Sequence, residues 1–165
     1  MNEALIAELE QESITTRPFL ESVPADKMDW RPHEKSMTLG QLALHVAGLP
    51  ASICAMASAE DVDAANVDFT PATPGSANEL IPTLAASLEK ARAYLEGLDE
   101  DLLMQDWTLK NNGEVAFTVP RVALLRSLLF NHWYHHRGQL SVYLRMLDIP
   151  VPIAYGRTAD FDPFA

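Results

Sequence analysis

Two histidines one helical turn apart, with a glutamine about one turn further on, lie in the stretch Leu128-Leu129-Phe130-Asn131-His132-Trp133-Tyr134-His135-His136-Arg137-Gly138-Gln139-Leu140. At about 100° per residue, Leu125, Leu129, His132, His136, Gln139, Tyr143 and Leu147 share one stripe of a helix. That face should turn toward the core, so two imidazoles and an amide stand where hydrophobes belong. A buried polar group without a hydrogen-bond partner costs about 1–3 kcal/mol. Two rings at i and i+4 avoid that cost by converging on one divalent cation, as in other helical His-x-x-x-His sites. Such a pair supplies two ligands, and a third must come from another element.

With five histidines in the chain, the choice of a third ligand is narrow. His45 falls on the stripe Leu42, His45, Leu49, Ile53 and Met56, again an imidazole on an apolar helix face. His45, His132 and His136 are therefore the expected metal ligands. His135 sits at the edge of the stripe, so a His132/His135 pair is the geometric alternative. With His136 as the ligand, His135 becomes a pocket-edge residue able to carry a proton. His33 follows Pro32 in a loop-like segment and reads as a surface or rim residue.

Three neutral imidazoles leave positions open on a cation, the pattern of catalytic rather than four-ligand structural sites. Zinc, nickel and iron all suit such a donor set. Gln139 is placed either to orient a ligand or substrate or to pack between helices, and Tyr143, on the same face, reads as a core residue or as a hydroxyl that reaches the pocket. Glu12 shares a stripe with Leu5 and Leu9, where it either approaches the metal or stays at a solvated boundary. Cys54, between Ile53 and Ala55, reads as a small core hydrophobe without a disulfide partner.

At 165 residues the chain is expected to form one domain, residues 1–165. Its 23 acidic against 12 basic side chains leave a formal net charge of −11, which repels phosphate backbones. Arg121, Arg126, Arg137 and Arg145 scatter around their helix instead of forming a patch, so direct nucleic-acid binding is not expected. No transmembrane run and no signal-peptide pattern is read in the sequence, and a cytoplasmic setting is expected.

The elements that must position these residues are mostly helical. Helix one spans Asn2 to about Val23, with Leu5, Leu9, Phe19 and Val23 inward and a bend or restart expected at Pro18. Thr38 reads as the cap of helix two, which runs to about Ser58. Residues 57–77, with Pro71, Pro74 and Gly75, read as a long connection. Helix three opens near Ser76, where Ser76-x-x-Glu79 has the form of a capping box, and stops at Gly97. Asn111-Asn112-Gly113 marks the turn of a short β-hairpin, and Pro120 opens helix four, which runs to about Leu147. On helix four, Phe130, Tyr134, Arg137 and Ser141 face away from the histidines. They are expected to pack under the hairpin or tail, or to form a homodimer interface.

The pieces Trp30-Arg31-Pro32, Leu39-Gly40-Gln41-Leu42-Ala43-Leu44-His45-Val46-Ala47, His132-x-x-His135-His136-Arg137-Gly138-Gln139-Leu140 with Tyr143-Leu144-Arg145, and Pro152-x-x-Tyr155-Gly156 occur in this order. Together they resemble the DinB-like superfamily of bacterial, damage-inducible proteins. The resemblance implies an all-α fold: a four-helix bundle, up-down-down-up, with a long crossover between helices two and three and the hairpin before helix four. It implies one metal ligand from helix two and two from helix four, by position His45, His132 and His136. It also implies a small-molecule substrate, with thiol-dependent S-transfer to a small electrophile as the leading activity and a low-molecular-weight thiol as cofactor. A hydrolase using a metal-bound water is the alternative, and a non-enzymatic stress-response binding or structural bundle the third reading.

Overall fold

The computed structural model describes residues 2–164; Met1 and Ala165, the ends of the expected 1–165 domain, lie outside the described residues. The chain is mostly helical. α1 (Asn2–Glu21) and α2 (Leu39–Ser58) are followed by a short strand, β1 (Asp61–Asp63), in the connection to α3 (Leu80–Glu96). A five-residue helix α4 (Glu100–Met104), strands β2 (Asp106–Asn111) and β3 (Glu114–Pro120), and a final long helix complete the order. That last helix begins as α5 (Arg121–Leu124), widens into a π-helical stretch over Leu125–Asn131, and continues as α6 (His132–Met146).

α1 buries Leu5, Leu9, Phe19 and Leu20, as its periodicity requires. Pro18 does not break it. Proline removes one N–H, and the carbonyl left unpaired belongs to Ile14, whose side chain is exposed, so water can satisfy that group. α2 opens with a reciprocal cap: the Gln41 amide donates to Thr38 Oγ1 at 3.2 Å, and Gln41 Oε1 accepts from the Thr38 amide at 3.0 Å. At its start Gly40 permits a close approach, because a Cβ there would lie 3.2 Å from the Met28 carbonyl oxygen. α2 is long and apolar enough to cross a membrane, but more than half of that stretch is buried among its own neighbours. The expected cap at the start of α3 is absent: Ser76 makes no side-chain capping bond, and a 3-10 turn, Ala77–Glu79, leads into the helix.

The all-α expectation with one hairpin is extended by a third strand, which makes a three-stranded sheet ordered β1-β2-β3. β2 and β3 form the expected antiparallel hairpin, turned by Asn112 (φ 52°) and Gly113 (φ 81°). Both residues are left-handed, as a two-residue turn matched to strand twist requires. β1 adds in parallel to β2, pairing Asp61, Val62 and Asp63 with Thr108, Leu109 and Lys110. The Asp63 carboxylate locks the connection to the hairpin by accepting from the amides of Ala65, Asn112 and Gly113. Those bonds hold its pKa below the usual carboxylate range.

One core joins these elements, from Leu5 and Phe19 through Leu42, Leu84 and Trp107 to Leu129, Trp133 and Leu144. Side-chain bonds tie the helices pairwise. Ser87 and Tyr94 of α3 bond Ala51 and Ala57 of α2, while Arg92 pairs with Glu10 of α1. Trp133 and Tyr143 of α6 donate to the carbonyls of Val46 and Met37.

Candidate metal centre

The long final helix reaches the site through its π-helical stretch, where the His132 amide reaches back to the Ser127 carbonyl, five residues earlier. π turns inside α-helices recur at functional sites. This stretch buries Leu125, Leu129 and Phe130. Phe130, expected on the face away from the histidines, lies there beside Arg126 and Tyr134 and is fully buried. Across from it, Pro50 lies inside α2 and lacks the N–H that would bond the Val46 carbonyl. Trp133 Nε1–H takes that place, donating to Val46 at 2.8 Å in a buried position. The bond joins the neighbours of His45 and His132, and so fixes the two helices' relative height at the site.

His45, His132 and His136 meet there. One ring nitrogen from each lies within 4.8 Å of the others, and among the described residues no Cys, Asp, Glu or further His joins them. The His45 ring centroid lies 5.4 Å from that of His132 and 4.4 Å from that of His136. The two rings of α6 face each other with their Nε2 atoms 2.7 Å apart. Two nitrogens on one tetrahedral zinc, at bonds of about 2.0–2.1 Å, stand about 3.3 Å apart, so the pair would open by more than half an ångström around an ion. Behind the His132 ring stands the Leu128 carbonyl, one turn earlier, whose hydrogen bond acts against the effect of burial on its pKa. An all-imidazole donor set of this size fits a divalent cation of zinc, nickel or iron type.

Electrostatics favour neutral rings, the state in which imidazole can act as a donor. Burial and then the neighbouring His132 push the His45 pKa down. Burial, with His135 adding to it, does the same for His132. His136 is held down at about 4, by burial first, against the opposing hydrogen bond from Gln139.

The other expected site residues separate. Gln139 belongs to the site: its Oε1 lies 2.7 Å from His136 Nδ1. His135 is exposed, with its ring 5.0 Å from that of His136, at the rim. Tyr143 donates to the Met37 carbonyl at 3.2 Å and stacks edge-on with Trp30, so its hydroxyl is engaged in holding the loop before α2. His33 is exposed, its Nδ1 accepting from the Lys35 amide. Cys54 is buried, its thiol pushed up to about 12.

Glu12 corrects its expectation: it neither approaches the three histidines nor stays solvated, but is buried against Arg137 at 2.6 Å. Arg137 also donates to Thr16 Oγ1 and to the hydroxyl of Tyr155, which in turn donates to Glu12 at 2.9 Å. The face of α6 opposite the histidines is thus occupied by α1 and the tail. Sequence spacing showed which way Arg137 points, but not that a carboxylate 125 residues away would meet it.

Comparison with curated proteins returns no match. Solved structures of the same fold include a DinB-like protein from Bacillus cereus, with TM-score 0.70 and 21% identity over 93% of this chain and 97% of that one. A DinB-like protein from Bacillus subtilis has TM-score 0.70 and 21% identity over 94% and 99% of the two chains. A protein described as a member of the DinB family, from Exiguobacterium sibiricum, has TM-score 0.63 and 21% identity over 97% of each. The DinB family profile itself matches residues 1–162, which takes in every helix and all three histidines, and the chain belongs to the DinB family.

Proposed function

We propose that the chain is a divalent-metal-dependent enzyme of small-molecule chemistry, a thiol-dependent S-transferase acting on a small electrophile. The observation that carries this reading is the convergence of His45, His132 and His136 with no fourth protein donor among the described residues. A structural zinc site normally closes its shell with four protein ligands, whereas three leave room for a reactant. His45, His132 and His136 would hold the ion, which when bound supplies the Lewis acidity that favours a thiolate over a thiol at neutral pH.

The protein's own residues do the remaining work. Partial burial keeps the three rings neutral and available as donors, and Gln139 holds the His136 ring. His135, exposed at the rim, is placed to pass a proton to the departing part of the substrate. Hydrolysis is the second reading. Transfer is favoured because, among the described residues, no carboxylate base joins the cluster, and a thiol brings its own nucleophile while water activation at His-x-x-x-His sites draws on a neighbouring acid.

The bonding pattern between helices supports an up-down-down-up bundle. Contacts between α2 and α3 rise together in number, those of α2 with α6 run in opposite senses, and Glu8 and Glu12 of α1 meet Arg126 and Arg137 in the same order. We take residues 1–165 as one domain working in the cytoplasm. A homodimer would use the free edge of β3, where Val115 and Phe117 are exposed. Two-fold antiparallel pairing centred on Phe117 places Glu114 opposite Pro120, so no like charges face each other across that edge.

Metal analysis of tag-free protein by inductively coupled plasma mass spectrometry tests the central reading. Near-stoichiometric metal is expected in the wild type and none above background in His45→Ala and His136→Ala. Wild-type protein that takes up neither zinc nor nickel on incubation would sink the proposal.

A further inference from the structure

We infer that the three-histidine site takes its reactant as a dianion: a thiol that carries a carboxylate one or two carbons from its sulfur, both groups directed at the ion. The inference rests on the metal-site and thiol reading above and deepens it by naming the chemical class of the ligand.

Neither helix that bears the histidines holds a carboxylate. α2 has no Asp, Glu, Lys or Arg in its 20 residues, although 21% of the chain is charged and Ser52, Ala55 and Ser58 are exposed. The final helix, from Arg121 to Met146, has no Asp or Glu. Among the described residues, none from elsewhere joins the cluster. A divalent ion held by three neutral imidazoles therefore keeps both of its positive charges in a half-buried position, where an unbalanced charge is costly. The chain's net charge of −11 does not balance it, because exposed charges more than about 8 Å away are largely screened at physiological salt. The ligand has to bring the anions.

The basic side chains of those helices are already engaged. Arg126, Arg137 and Arg145 pair with Glu8, Glu12 and Asp160, and Arg121 donates to the carbonyls of Ala57 and Leu102 and to Gln105. A carboxylate on the ligand thus finds no basic clamp there, and the ion is what attracts it. On binding, the thiol releases its proton to solvent and offsets one positive charge. A carboxylate about 4 Å from the remaining charge gains about 5-fold in affinity in the dielectric of bulk water and about 1,000-fold at the effective dielectric near a protein surface. An ammonium group at the same place loses by similar factors.

Gly48 follows His45 by three residues on α2 and is half-buried, and a Cβ there would meet nothing nearer than Thr83 Cγ2 at 3.9 Å. Gly48→Asp therefore adds the missing carboxylate beside the site, and Gly48→Asn adds the same shape without charge. Cobalt-loaded protein, whose sulfur-to-cobalt charge-transfer absorption reports a bound thiolate, is titrated with 3-mercaptopropionate, 3-mercaptopropionamide and thiocholine, with affinities referred to the thiolate form. The acid should bind at least about 10-fold more tightly than the amide, and the amide more tightly than thiocholine. That preference for acid over amide should shrink several-fold in Gly48→Asp relative to Gly48→Asn. Equal affinities for acid and amide, or an equal preference in the two variants, overturns the inference while leaving the site standing. Cobalt uptake with no charge-transfer band from any of the three thiols overturns the thiol reading, and no cobalt uptake overturns the metal site itself.

Discussion

Three imidazoles drawn together in a half-buried cluster carry a definite pH signature. The folded His136 is held down at about 4, and His45 and His132 shift in the same direction, whereas an unfolded histidine titrates near 6.5. The unfolded chain therefore binds protons more readily over that interval. Stability from keeping these rings neutral is full above about pH 6.5 and is lost as pH falls through about 4. Urea unfolding of the metal-free protein at several pH values should show the wild type losing stability across this window more steeply than His136→Gln. Equal slopes would mean that the ring protonates freely in the fold. Arg137 obeys the opposite logic, because its charge is buried and paired. With the two side chains only 3% and 10% exposed, Arg137→Met strands the Glu12 carboxylate and should cost about 3–5 kcal/mol. Glu12→Gln added to Arg137→Met should recover most of that loss in the same denaturation assay. His45, His132 and His136 were legible in sequence because each replaces a hydrophobe on a periodic helix face. The Glu12–Arg137 pair was not, because only the packing of α1 on α6 brings it together.

At the level of elements, the site depends on how α2 and α6 are held at one height. Pro50 frees the Val46 carbonyl, and the Trp133 indole N–H occupies it. Trp133→Phe keeps most of the ring but leaves that buried carbonyl unpaired, a loss of about 1–3 kcal/mol. Because the bond adjoins both His45 and His132, zinc affinity should fall with it. Intact affinity in the variant would show that packing alone sets the helix height. Helix periods, the Thr38 cap and the Asn112-Gly113 turn were readable, since each is a local preference of the chain. β1 was not, because Asp61-Val62-Asp63 is too short and too charged to show alternation, and its strand character comes from pairing with β2. The π stretch was equally hidden. A projection at a constant angle cannot register the widened turn, although it placed Phe130, beside Tyr134 and Arg126, on the face that packs against α1.

For the whole molecule, the issue is whether an ion at the three histidines would hold the bundle together or the bundle would hold the ion. The apolar core runs continuously through all the long helices and the hairpin without involving the histidine cluster. Arg121, Arg126, Arg137 and Arg145 each bond to another element or to the tail, so the final helix is anchored at several levels besides the site. A fold so supported should survive chelation, with the cation adding stability only by binding the native state. At free zinc 100-fold above its dissociation constant that linkage is worth about 2.7 kcal/mol, or roughly 5–11 °C in Tm for a chain of this size. Thermal melts should therefore show a cooperative transition in EDTA, a rise of that order with zinc, and no rise for His136→Ala. The variant should melt within a few degrees of the metal-free wild type, because it deletes only a half-buried polar ring. If EDTA instead abolishes the wild-type transition, the ion is a structural staple, and the open coordination position inferred from three histidines would have to be filled by the protein itself.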